Sequence, residues 1–303
     1  MKKTLLILAL SALSAVAFAQ GGGQAMPFLA IERSPAVMAT GSAGFSAAWS
    51  AFGNAACMPF LAGKMDAEAS WQNWAPRGAG SSNIGAGAAF MLSDALGMSV
   101  AFARQGGEEY EITDVSGVSK GSFKPSDMIF GAGMGFRLGE KLSAGASVRF
   151  AREKLSSDDS YSALAASADI MYASGGLKAS AGIHNAGSSV TAADGTKYQL
   201  PASVNVSGAY VHGLGDAGGI SASVAADYFP GGGFTAGLGA EFSFRDMLFV
   251  RAGYHAATQA AVLPSFAALG LGAKFAGARL DLAYLFGNAS LGGTLALALG
   301  YGF

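Results

Sequence analysis

The sequence predicts an all-β protein, a transmembrane antiparallel β-barrel of about 14 strands with an N-terminal plug segment in its lumen. Three observations carry this. The chain is 51% hydrophobic and only 13% charged, with 45 glycines, yet beyond its first residues it has no helix-length apolar run. Its N-terminus has the layout of an export signal. Through most of the rest, large apolar residues recur at every second position, with Gly, Ala, Ser or a single charge between them. A period of two is that of a strand with one face against apolar solvent and the other toward a lumen.

Lys2 and Lys3 precede an apolar run over 5–16, and Ala17-Phe18-Ala19 offers small residues for a cut before Gln20. Residues 1–19 are therefore expected to be a signal peptide. A retained anchor is the alternative, disfavoured because a spanning helix needs about 20 apolar residues. Later apolar stretches are interrupted by Asp169, Lys274 or Asp281. So many glycines also disfavour helices, each interior one costing about 1 kcal/mol. The net charge of −1 offers no basic field to nucleic acid. Cys57 is the one cysteine, so no intrachain disulfide is expected.

Residues 20–65 carry Pro27, Phe28, Trp49, Phe52 and Pro59 and lack the two-residue period. A segment so apolar would aggregate in water, so it is expected to fold into the lumen as a plug or hatch. An extended periplasmic segment that binds a partner is the alternative.

The barrel is expected over 66–303. Its strands are read at 66–74, 82–92, 96–105, 127–138, 141–151, 161–173, 177–185, 201–211 and 219–228, then at four alternating runs around Leu238–Phe244, Leu248–Tyr254, Leu269–Phe275 and Leu280–Phe286. Leu295, Leu297, Leu299, Tyr301 and Phe303 mark the closing strand. Connection lengths test the count independently. Short turns fall at 93–95, 139–140, 174–176, 213–218, 245–247 and 276–278, and they alternate with longer loops such as 106–126, 152–160, 186–200 and 256–265. Short periplasmic turns and long outer loops require an even strand number, with both termini periplasmic.

Catalytic signals are poor. His184, His212 and His255 have no metal-ligand spacing, and there is no nucleophile elbow or P-loop. No cofactor is expected. The pairs Gly133-x-Gly135 and Gly237-x-Gly239 resemble pieces of dinucleotide loops but lie on period-two strands. Inward charges suggest three lumen pairs: Glu241 with Arg251, Lys274 with Asp281, and Arg149 with Asp169. They would bind a ligand, orient the plug or brace the wall. Glu108, Glu109, Glu111, Asp158 and Asp159 make the outer loops acidic, and Asn288-Ala289-Ser290 fits a glycosylation sequon.

Two stretches, "GIHNAGSSVTAADGTKYQLP" at 182–201 and "GAEFSFRDMLFVRAGYH" at 239–255, resemble the PorV/PorQ family of outer-membrane barrels, related to the FadL-type hydrophobic transporters. The segment 26–58 is similar to that family's plug region through Phe28-Leu29, Gly41, Gly44 and Asn54, although the usual Asn-Pro-Ala reads Asn54-Ala55-Ala56. The resemblance implies a fourteen-stranded barrel in a bacterial outer membrane. It also implies a non-enzymatic part in type IX secretion, with secreted cargo C-terminal domains or the translocon as partners. Tyr301 and Phe303 resemble the aromatic ending that barrel-insertion machinery reads. The alternative is a FadL-like transporter of hydrophobic small molecules, and plugging fits both.

Overall fold

The computed structural model describes residues 24–77, 80–156, 159–230, 233–258, 261–287 and 291–303. The expected signal peptide, Ser157 and Asp158 of the acidic loops, and the sequon at 288–290 lie outside them. Among the described residues the strands are β1 (Met65–Trp74), β2 (Ser81–Met91), β3 (Leu96–Gly106), β4 (Tyr110–Thr113), β5 (Ser119–Phe123), β6 (Ser126–Arg137), β7 (Leu142–Lys154), β8 (Ser160–Ser174) and β9 (Leu177–Gly187). They continue with β10 (Val190–Thr191), β11 (Lys197–Tyr198), β12 (Ser203–Gly213), β13 (Gly218–Phe229), β14 (Gly233–Phe244), β15 (Leu248–Ala257), β16 (Phe266–Phe275), β17 (Ala278–Gly287) and β18 (Leu295–Gly302).

Fourteen of these strands close into one antiparallel barrel in which β18 returns to pair with β1. Closure leaves no edge, which a sheet in lipid requires, because hydrocarbon offers backbone groups no partners. The seam is completed by the Phe303 carbonyl, which accepts from the N–H groups of Lys64 at 2.5 Å and Met65 at 3.0 Å. The other four strands make two hairpins, β4–β5 and β10–β11, inside long loops. The first lies within the long loop read at 106–126. It turns at Asp114, whose carboxylate accepts from the N–H groups of Ser116 at 2.9 Å and Val118 at 3.0 Å. Those two donors hold the Asp114 carboxyl below the usual carboxylate range.

The barrel is inverted relative to a water-soluble protein. Leu164, Leu238 and Leu299 point outward and are 64%, 60% and 67% exposed. Arg149, Gln72, Asn83 and Asp281 are fully buried inside. An apolar belt of this extent is stable only against an apolar solvent.

The lumen is filled by the N-terminal segment, which contains two 3₁₀ turns (Pro27–Ala30 and Ala55–Phe60) and one helical turn (Pro35–Met38). Small wall residues let its backbone lie directly on the sheet. A Cβ at Gly87 would stand 2.3 Å from the Ala48 carbonyl oxygen, and one at Gly253 2.2 Å from the Gly41 nitrogen. The same holds for the glycine pairs read on β6 and β14. At Gly135 a Cβ would meet the Ala55 oxygen at 2.4 Å, and at Gly239 the Thr40 Cβ at 2.3 Å. At Gly135, Gly237 and Gly239 the plug lies where a side chain would otherwise stand.

Met26, Phe28 and Leu29 pack with Trp74, Ile129, Val190 and Leu200 at the end that carries the long loops, where Ala25 N–H also donates to the Gln199 carbonyl at 2.9 Å. Phe303 lies at the opposite, short-turn end. The plug traverses the lumen before β1 begins, so the start of the described chain and its end lie at opposite mouths.

Candidate functional site: the plugged lumen

Plug and wall meet in three places. The first is an ionic chain across the closing seam. Arg251 on β15 donates to Glu241 on β14 at 2.5 Å and to Asp281 on β17 at 2.6 Å. Arg279, two residues before Asp281, reaches that carboxylate at 2.9 Å, Glu68 on β1 at 2.8 Å and Asp66 at 3.3 Å. The acids then hold the plug. Glu68 accepts from the Trp49 indole at 2.8 Å and the Ser34 hydroxyl at 3.3 Å, and Asp66 accepts from the Ala48 N–H at 3.2 Å. Charges this deep are retained because each is matched by an opposite charge.

Of the three pairs read from the sequence, the structure brings together Glu241 with Arg251 in direct cross-strand register. Lys274 does not meet Asp281. Asp281 stands opposite Gly272, while Lys274 stands opposite Arg279 at the exposed short-turn end, so Asp281 turns to the two arginines instead. Arg149 does not meet Asp169 either, because it stands opposite Ala165 while Asp169 stands opposite Gly145. Arg149 donates to Asn185 at 2.6 Å, Ser167 at 3.0 Å and the Ala51 carbonyl of the plug at 3.2 Å. Asp169 pairs with His184 at 2.8 Å.

Arg279, Glu68 and Asp66 escaped the sequence reading. Arg279 shares the inward parity of Asp281, but it falls between the turn read at 276–278 and a strand read from Leu280. Asp66 and Glu68 likewise share the parity of Ser70 and Gln72.

The second contact is the plug motif itself. Gly41 has φ +69°, and a Cβ there would stand 2.4 Å from the Tyr254 carbonyl oxygen. At Gly44 a Cβ would find its nearest neighbour at 3.6 Å, so space does not require that glycine. Asn54 accepts from the Ala56 N–H at 2.8 Å, capping the second 3₁₀ turn, and donates to the Ser180 hydroxyl on β9. Phe28 and Leu29 are buried at the long-loop mouth. Cys57 lies in the same turn as Asn54's cap, and burial pushes its thiol up to about 12.

The third is a cavity of about 170 Å³ between the plug and the wall formed by β7, β9 and β12 to β15. A bulge in β9 opposite Ala166 to Ala168, with Asn185 at φ +53°, turns both His184 and Asn185 toward it. Bulges commonly re-aim side chains in this way, and Asn tolerates the left-handed backbone. Asp227 accepts there from Ser203 at 3.0 Å and Asn205 at 3.1 Å. From the plug come Leu29, Ile31, Glu32, Arg33, Trp49 and Phe52. Burial raises the Glu32 carboxyl and lowers the Arg33 guanidinium to about 10. Among the described residues no group of three or more His, Cys, Asp or Glu is placed to hold a metal ion.

Comparison with known proteins defines the class of fold. No protein-family model matches the chain, and no curated protein matches it. Solved structures do. The toluene transporter TbuX of Ralstonia pickettii superposes with a TM-score of 0.60 at 11% identity, covering 88% of this chain and 97% of that one. The toluene transporter TodX of Pseudomonas putida gives 0.63 at 13%, covering 88% and 97%. A FadL homologue of Pseudomonas aeruginosa gives 0.58 at 12%, covering 90% and 99%. This chain therefore has the fold of the FadL-like outer-membrane barrels.

Proposed function

We propose that this protein is an outer-membrane conduit for hydrophobic small molecules, with residues 24–63 as its hatch. The observation that carries the reading is the lumenal cavity held between a plug and a lipid-facing barrel. Leu29, Ile31, Phe52, Phe229 and Leu263 offer a hydrophobic solute apolar surface in that cavity. Apolar side chains there would draw such a solute out of water at about 25 cal/mol per Å² buried. The ionic chain then fixes the plug so that ions do not leak. The similar folds of two toluene transporters and a FadL homologue support this reading over the type IX secretion role implied by the PorV/PorQ resemblance. Short turns are assigned to the periplasm, and Tyr301 and Phe303 to recognition by the insertion machinery.

Uptake of a labelled hydrocarbon by cells with and without the protein tests the reading. Protein-dependent uptake supports it. Recovery of translocon components or cargo C-terminal domains in a pull-down, with no protein-dependent uptake, would replace it by the secretion role.

A further inference from the structure

We infer that a solute leaves the cavity along one wall of the barrel, the inward face of β12 and β13, and so reaches the short-turn mouth. The inference rests on the conduit reading above and names its exit and the residues that line it.

The plug covers the lumen unevenly. Its helical turn packs on β16 and β17, and its second 3₁₀ turn on β2, β3, β6, β7 and β8. Beneath that second turn the wall is sealed down to the short-turn end, where Ala89, Ser143 and Met171 are each 0% exposed. The wall of β12 and β13 differs. Its pairing is one-to-one from Val204 with Tyr228 to Gly213 with Gly219, so parity fixes which side chains face the lumen. Ser207, Ala225 and Asp227 line the cavity, and Ala209, Val211, Ser221 and Ser223 share their face. Down β12 this row opens steadily. Ser203 and Asn205 are 3% and 8% exposed, Ser207 and Ala209 are half-buried, and Val211 is 53% exposed. On β13, Phe229 and Ser223 are buried, whereas Asp227, Ala225 and Ser221 are half-buried. Side chains as small as these keep free surface inside a barrel only where no plug backbone lies on them. The opening is one-sided, because Phe28 and Leu29 pack with Trp74, Val190 and Leu200 at the long-loop mouth. From Ser207 to Val211 the descent is about 13 Å.

The lining sets what happens to a solute on the way. Ser207, Ser221 and Ser223 present hydroxyls, and Ala209 and Ala225 single methyl groups. Lys178 stands opposite Ala209 and Glu241 opposite Ser221, so a cation and an anion flank the row. Apolar area is what draws a solute into the cavity, and the row below offers little of it. A solute is therefore released there and not held. The strands are paired throughout this stretch, which leaves the way along the wall open and the way through it shut.

Ala209→Cys and Ser221→Cys in a Cys57→Ala background test the track, with Ser99→Cys, inward and 0% exposed, as the covered reference. A water-soluble maleimide added to the folded, purified barrel is expected to label the first two quickly. Ser99→Cys should react only after unfolding. Uptake of labelled toluene by cells is then compared for Ala209→Trp and Ser221→Trp, which fill the track, and for Ala222→Trp, which faces lipid. Each variant is checked for folding by heat-modifiable migration. Loss of protein-dependent uptake in the first two, with uptake retained in Ala222→Trp, is the expected result. Cysteines as slow as Ser99→Cys, or folded track variants that take up toluene as the parent does, would overturn the track and leave the conduit with another exit. Fast labelling with no protein-dependent uptake even by the parent would instead overturn the conduit reading, and the exit with it.

Discussion

The Trp49 indole donates to the Glu68 carboxylate at 2.8 Å, and this bond ties the middle of the plug to the first barrel strand. Glu68 is also held by Arg279, which reaches on to Asp281 and through it to Arg251. Plug position and seam closure therefore depend on the same carboxylate.

Trp49→Phe keeps the ring and removes the donor. Leaving a buried carboxylate oxygen short of one partner costs about 1–3 kcal/mol. The expected outcome is a plug that opens more often while the barrel stays folded. Faster thiol labelling at Cys57, with unchanged heat-modifiable migration, is the measurement.

Cys57 also gives a pH prediction. Its thiol is raised to about 12 in the folded plug, against about 8.5 in an unfolded chain. Between these values the unfolded state loses the proton and the folded state keeps it, so plug stability falls as pH rises from about 9 to about 12. Below pH 8 the contribution is flat. Labelling of the folded protein should stay slow between pH 7 and 8, and labelling of the urea-unfolded chain should be fast throughout.

Gly41 and Gly44 separate two reasons for a glycine. Gly41→Ala places a Cβ 2.4 Å from the Tyr254 oxygen at a left-handed backbone position. Backbone strain of that kind costs about 1–3 kcal/mol before the clash is counted. Gly44→Ala meets only ordinary contacts and should change stability by less than about 0.5 kcal/mol. Thermal denaturation followed by protease sensitivity of the plug distinguishes them.

Arg251→Met removes the cation shared by Glu241 and Asp281. Breaking a buried pair from one side costs about 3–5 kcal/mol, and the denaturation midpoint should drop accordingly. Lys274→Ala, at the exposed short-turn end, should lie within about 0.5 kcal/mol of the parent. A comparable loss at Lys274 would restore the pairing read from the sequence.

The barrel is legible in the chain alone. Alternation with a period of two, short turns alternating with long loops, and an even strand count are local properties of the chain, and each of the fourteen barrel strands is found where they put it. The plug was legible too, since apolar residues without that period must be buried somewhere other than the lipid face. Pairing in the lumen was not. Glu241 and Arg251 are joined by a tight turn, so their register follows from chain length alone. Arg149 and Asp169 have the same inward parity, but they stand four residues out of register, and Asn185 takes the place beside Arg149 through a bulge. Arg279 meets Glu68 only because β18 closes on β1, which brings residues more than 200 positions apart together. Such contacts follow from the closed fold, because parity fixes which face a side chain occupies, while closure, bulges and the plug's path fix what it meets there.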